Sequence, residues 1–104
     1  MPSTTDIQTK PPKQRKKSFR DLERMVRGFS NHRRIEVMEL LSQKPELSIM
    51  DISHELNVHF KTISEHVRRL AIAGIVIKRN QGKEVCHALT NRGNIILTFL
   101  RTLE

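Results

Sequence analysis

The sequence predicts a mainly α-helical fold with one small β-hairpin, and three features predict it. Apolar residues recur at helical spacing in successive stretches from Phe19 to Leu103. Between Ser48 and Gly74 a short apolar stripe, a break at Asn57-Val58 and a longer stripe place two helices on either side of a tight turn. Directly after Gly74 the pattern changes to two β-branched runs, Ile75–Arg79 and Glu84–Leu89, joined by Asn80-Gln81-Gly82-Lys83.

At 104 residues the chain has room for one small domain. Residues 1–17 stand apart by composition. They are rich in Pro, Thr, Lys and Gln, and Ile7 is an isolated apolar side chain. Such a segment cannot bury enough apolar area to offset its ordering entropy, so it is expected to be a disordered tail. It is strongly basic, with Lys10, Lys13, Arg15, Lys16 and Lys17 against Asp6. Residues 18–104 are expected to form the folded domain.

Ser18 is placed to cap a first helix over about Phe19 to Phe29, where Phe19, Leu22, Met25, Val26 and Phe29 form one stripe. Asp21 and Glu23 near its start and Arg27 near its end suit the helix dipole, and Gly28 loosens the last turn. Ser30-Asn31 restarts a helix over about His32 to Gln43, with Ile35, Met38 and Leu41 inward. Lys44-Pro45 ends it, because a residue before proline leaves the helical region. Glu46-Leu47-Ser48 reads as a short extended segment that pairs with the hairpin.

Ser48 then caps a short helix in which Ile49, Ile52 and Leu56 share a face, and Asp51 stands in for the capping-box acid. Asn57 tolerates the left-handed conformation that ends a helix, and Val58 tucks into the core. The next helix runs from about Phe60 to Ala73, with Ile63, Val67 and Leu70 on one stripe and Gly74 as its terminator. After the hairpin, Thr90 caps a last helix over about Asn91 to Leu103, lined by Ile95, Ile96, Phe99, Leu100 and Leu103. The first and last helices each carry a wide apolar stripe. They either bury each other within one chain or pair across two copies.

A short helix, a tight turn and a longer helix with a mixed polar face form the helix-turn-helix layout, whose second helix lies in the DNA major groove. The polar face here carries Lys61, Thr62, Ser64, Glu65, His66, Arg68 and Arg69. An ordinary helical hairpin with a solvated face is the plainer reading. A hairpin that follows directly corresponds to the wing of a winged helix. Its basic residues Lys78, Arg79 and Lys83 are expected at the tip, beside the phosphates. Glu65 is expected to accept from a cytosine amino group or to exclude other sequences, and Arg68 and Arg69 to meet phosphates. Phe60 either contacts a thymine methyl or packs against the turn, and packing is the expectation. The basic tail either adds sequence-independent affinity for DNA or only keeps the chain soluble.

From about His32 to Leu100 the sequence resembles the ArsR/SmtB family of small bacterial winged-helix repressors. The matching residues include Arg34-Ile35 with Leu40-Leu41, Glu46 to Ile52, Thr62-Ile63-Ser64, His66 to Leu70, Ala73 to Val76, Arg79, Gly82-Lys83 and Leu89-Thr90. MarR-type winged helices are similar over shorter spans. The resemblance implies about five helices with a two- or three-stranded wing, and a homodimer built from the first and last helices. Phe60 departs from the polar residue usual at its position.

Many members of that family sense metals through Cys residues near the first helix of the helix-turn-helix. Here Ser48 and Met50 stand where those Cys residues often do. Others use Asp, His and Glu on the last helix, and Asn91 to Thr98 contains none of these. His32, His54, His59, His66 and His87 remain, expected as surface or capping residues, with an intersubunit metal site as the alternative. Cys86 and His87 are strand neighbours that point to opposite faces. A lone Cys is expected as a small buried hydrophobe, with a redox-sensing thiol as the alternative. Neither metal nor cofactor is expected.

A net charge of +8 and a pI near 10.4 suit a polyanionic partner. With 4% aromatic residues and no Trp or Tyr, the core must be aliphatic. No run approaches the ~20 apolar residues that span a bilayer, and the polar N-terminus lacks a signal-peptide core. One Cys excludes an intramolecular disulfide. A cytoplasmic protein, nucleoid-associated when bound, is the simple reading. No Gly-rich phosphate loop or paired carboxylates suggest catalysis. The expected function is a homodimeric, sequence-specific regulator of transcription that binds double-stranded DNA and represses by blocking promoters. A protein-interaction module and a non-specific architectural DNA-binding protein are the alternatives.

Overall fold

The computed structural model describes residues 16–104. The expected tail lies outside the described residues except for Lys16 and Lys17, which are exposed ahead of the first helix. In chain order the elements are α1 (Phe19–Phe29), α2 (His32–Gln43), α3 (Ile49–Leu56), α4 (Phe60–Ile72), β1 (Val76–Gln81), β2 (Glu84–Leu89) and α5 (Asn91–Arg101).

Four of the five helices start where a short polar side chain replaces a missing backbone partner. Ser18 Oγ accepts from Asp21 N at 3.1 Å, and Asn31 Oδ1 accepts from Arg33 N at 2.9 Å and Arg34 N at 3.3 Å. Ser48 and Asp51 form a reciprocal capping box, with bonds of 3.1 and 3.2 Å. Asn57 closes α3 at φ 55°, in the left-handed region. Thr90 Oγ1 accepts from Gly93 N at 3.1 Å and donates to the Gly74 carbonyl at 2.7 Å. It thus starts α5 and ties it to the end of α4.

The core is aliphatic. Val37, Met38 and Leu41 of α2 meet Ile52 of α3, Ile63, Val67 and Leu70 of α4, and Ile75 and Val76 beyond it. Complete burial of each such side chain contributes about 1.5–3 kcal/mol. Ile75 was expected in the first strand. It lies just before β1, fully buried, and its carbonyl accepts from Thr90 N at 3.0 Å.

The strands pair antiparallel from Val76↔Leu89 to Gln81↔Glu84. The turn is therefore tighter than the four residues expected: Gly82-Lys83 alone connect the strands, with Gly82 at φ 66°. Leu47 adds a single antiparallel bridge to His87, so the expected third segment is present. It is kinked rather than extended, because Glu46 sits at φ 64°. This segment also corrects the reading of the histidines. His87 is 1% exposed, not a surface residue, since Leu47 closes over β2 and its carbonyl takes a 2.9 Å bond from His87 Nδ1. Cys86, His87 and Ala88 are all buried in succession.

Two helix details also differ from expectation. Gly28 does not merely loosen α1. A Cβ there would stand 2.5 Å from Ala73 Cβ, so glycine is what lets α1 lie against the end of α4. In α5, which ends at Arg101 rather than Leu103, the side chain that reaches the core is Leu97, with Ile96 packed beside it.

Candidate nucleic-acid interface

The turn between α3 and α4 is fixed from both sides. Ser53 Oγ donates to the Val58 carbonyl at 2.6 Å, and Val58 N donates to the Ser53 carbonyl at 3.1 Å. His59 caps α4, its Nδ1 accepting from Lys61 N at 3.2 Å. Its ring stacks on Phe60 at 4.9 Å between centroids. Phe60 remains 43% exposed, so it packs on the cap and not into the core.

Lys61, Thr62 and Ser64 project from the first turns of α4 and are exposed. Among the described residues they make no side-chain hydrogen bond or ion pair. Glu65, by contrast, is engaged. Its carboxylate accepts from Arg68 Nε and Nη2 at 3.0 and 2.9 Å and from Arg69 Nε at 2.9 Å. The hydrogen bonds of Arg68 and Arg69 lower its pKa to about 2. Three of its acceptor positions are thus taken by its own helix, and a cytosine amino group would have to share or displace them.

His66 is also placed differently from the reading that put it among the outward side chains. It lies at the edge of the Ile63–Val67–Leu70 face and is half-buried. Its Nδ1 accepts from Arg34 Nε at 3.2 Å. Burial, then the charge of Arg34, pushes its pKa below the ordinary histidine value. Arg34 was a family-matching residue in the sequence, but nothing in its spacing disclosed this partner.

The wing is less uniformly basic at its tip than expected. Only Lys83 is in the turn. Lys78 and Arg79 lie lower on β1, opposite His87 and Cys86, and successive strand residues point to opposite faces. Arg79 turns to Glu46, at 3.7 Å, which also takes Gln81 Nε2 at 3.5 Å.

Away from α4, two apolar faces are open. α1 packs on α4, while α5 packs on α2 and β2. Among the described residues the stripes of α1 and α5 are therefore not fully covered. Phe19 is 83% exposed, Leu22 and Val26 are exposed, and Ile95, Phe99 and Leu103 are 62%, 58% and 67% exposed. Met25, Phe29, Ile96 and Leu100 are half-buried along the inner margins.

Ser48 and Met50 are the positions compared above with metal-binding Cys residues. Ser48 Oγ is committed to the α3 cap and Met50 is exposed. Among the described residues, no three His, Cys, Asp or Glu side chains converge as a metal site would require. Burial pushes the Cys86 thiol up, away from reactive thiolate. Among the described residues, no helix is long and apolar enough to cross a membrane.

Helix, tight turn, helix and hairpin wing define a winged helix-turn-helix protein. Residues 31–78 match the family model described as bacterial regulatory protein, arsR family, a span from the α2 cap into β1. The chain is an ArsR-like winged helix-turn-helix protein. No curated protein matches it by sequence. Solved structures share its fold. The homodimeric winged helix-turn-helix DNA-binding domain of a possible ArsR-family transcriptional regulator from Mycobacterium bovis superimposes with a TM-score of 0.72 at 19% identity, covering 84% of this chain and 86% of that one. HlyU from Vibrio cholerae gives 0.70 at 22% identity, over 81% and 91% of the two chains. The transcriptional repressor PagR of Bacillus anthracis gives 0.70 at 18%, over 78% and 93%.

Proposed function

We propose that this protein is a cytoplasmic, sequence-specific double-stranded DNA-binding regulator that acts as a homodimer and represses transcription by occupying promoters. The observation that carries the reading is the row Lys61, Thr62 and Ser64, exposed and uncommitted on the first turns of a helix whose entry is fixed by Ser53 and His59. In this arrangement the N-terminal residues of α4 face base edges. Arg68 and Arg69 meet phosphates, as do Lys78, Arg79 and Lys83 from the wing. Residues 1–17 add basic charge that supplies sequence-independent affinity for DNA. The exposed faces of α1 and α5 supply the dimer contact, and the domain from Mycobacterium bovis that shares the fold is homodimeric. Repression is favoured by the likeness to PagR. The regulator works without a metal cofactor, since neither place that holds metals in the family carries the donors.

Selection from a random duplex library at two salt concentrations tests this reading. A palindromic motif with half-sites about one helical turn apart is the expected result. Binding without an enriched motif and with steep salt dependence would instead mark an architectural protein. No binding at moderate salt would favour a protein-interaction module.

A further inference from the structure

Arg34 stands where three helices meet. From α2 its Nη1 donates to the Arg27 and Gly28 carbonyls at 3.1 and 3.4 Å, closing the end of α1. Its Nε donates to His66 Nδ1 at 3.2 Å, in the middle of α4. Beside this junction Gly28 lies against Ala73, where an added Cβ would be only 2.5 Å away. A single guanidinium thus links the end of a helix with an open apolar face to the helix proposed to read DNA.

The link depends on the protonation of one atom. Arginine only donates and stays charged in any ordinary buffer. His66 Nδ1 must therefore carry its lone pair, which leaves the ring neutral with its proton on Nε2. The only nitrogen left to take up a proton is the one Arg34 occupies. Protonation there would turn the acceptor into a donor and set two cations 3.2 Å apart.

We infer that Arg34 and His66 form a positioning pair for α4 that holds only while the imidazole is neutral, so that acidification breaks the tie between α4, Arg34 and the end of α1 and weakens DNA binding. This rests on the DNA-binding reading above. The charged groups bearing on His66 come from α2 and from its own helix. Arg34, His32 and Arg33 oppose the imidazolium, Glu65 favours it, and burial outweighs each of them. From α1 the junction receives main-chain carbonyls, and these face Arg34. The release accordingly falls on the acid side of the ordinary histidine value. A histidine that gains charge ordinarily strengthens binding to a polyanion. The sign expected here is the reverse.

The test measures affinity for a library-selected duplex at about pH 7.5 and about pH 5, for the full chain and for His66→Asn and His66→Ala. Asn offers Oδ1 close to the place of Nδ1 and does not titrate. Wild-type affinity should fall on the order of tenfold on acidification, the equivalent of about one pKa unit of coupling. His66→Asn should bind like the wild type at the higher pH and keep its affinity at the lower one. His66→Ala should be weak at both. Equal pH profiles for wild type and His66→Asn overturn the inference, as does wild-type binding by His66→Ala.

If the wild type binds no duplex at about pH 7.5, the DNA-binding reading fails, and an NMR titration of the wild type decides the pair by itself. Shifts of the Arg27 to Phe29 amides that follow the His66 ring with one midpoint uphold it. Ring titration with those amides unmoved overturns it.

Discussion

Glu65 and Arg68 meet fork to fork, with Arg68 Nε and Nη2 at 3.0 and 2.9 Å from the two carboxylate oxygens. Arg69 adds a third bond to the same carboxylate. On the outer face of α4 the acid therefore partly neutralises the two arginines proposed to meet DNA phosphates. With its pKa lowered from 4.5 to about 2, the carboxylate keeps both arginines at every pH above the ordinary value. That contribution is lost as the pH falls through about 2. Glu65→Gln should strengthen binding to all duplexes and steepen the salt dependence by about one unit. Fluorescence anisotropy across a salt series measures this, and an unchanged slope would show that the arginines do not reach phosphate.

Lys61 and Lys83 should separate sequence reading from anchoring. Lys61→Ala, on the first turn of α4, should alter the selected motif and cost about 1–3 kcal/mol at one base pair. Lys83→Ala, at the wing tip, should weaken every sequence alike and lower the salt slope by about one. Repeating the library selection with each variant distinguishes the two effects. An unchanged motif for Lys61→Ala would remove α4 from the reading role.

Val26 and Phe99 lie on the two open apolar faces, so a charge there should act on assembly rather than on folding. Phe99→Glu should give a folded monomer by sedimentation while leaving the thermal transition in place at high concentration. Its affinity for a two-half-site duplex should drop by about two orders of magnitude or more, from lost bivalency. A dimer that persists in both Phe99→Glu and Val26→Lys would place the contact elsewhere.

Thr90 joins α5 to the α4 terminus through one hydroxyl, which caps one helix and bonds the Gly74 carbonyl of the other. Thr90→Val keeps the shape and removes the hydroxyl. It should destabilise the domain by about 1–3 kcal/mol, because a cap and a part-buried carbonyl lose their partner together. Denaturant titration should show a lower midpoint with an unchanged slope, and a loss below about 0.5 kcal/mol would mean that water replaces the hydroxyl.

The helix boundaries were legible because their causes are local. Ser18, Ser48 with Asp51, Asn57, Gly74 and Thr90 act on residues within a turn of themselves, so composition and spacing disclose them. What spacing hides is contact between distant segments. His66 and Arg34 are 32 positions apart, and nothing in the stripe of α4 marks His66 as turned inward. His87 looks like an ordinary strand residue until Leu47 folds over it. Leu97 escaped notice among neighbours that are equally apolar, since a stripe wide enough for two surfaces does not say which edge faces the core. Glu65 is a different case. Its partners stand three and four residues on, a spacing that favours ion pairs in any helix, so its engagement was within reach of the sequence.

The bridge between Leu47 and His87 also bears on how the domain behaves in a crowded solution. A two-stranded hairpin has two free margins, each a template for a strand from another molecule. Here one margin is met by the chain's own Leu47, while Lys78 and Arg79 put charge on the strand that forms the other. The wing can therefore stand out from the body of the protein without inviting sheet growth between copies. In the proposed dimer, association would fall to the helical faces, where a two-fold contact closes on itself.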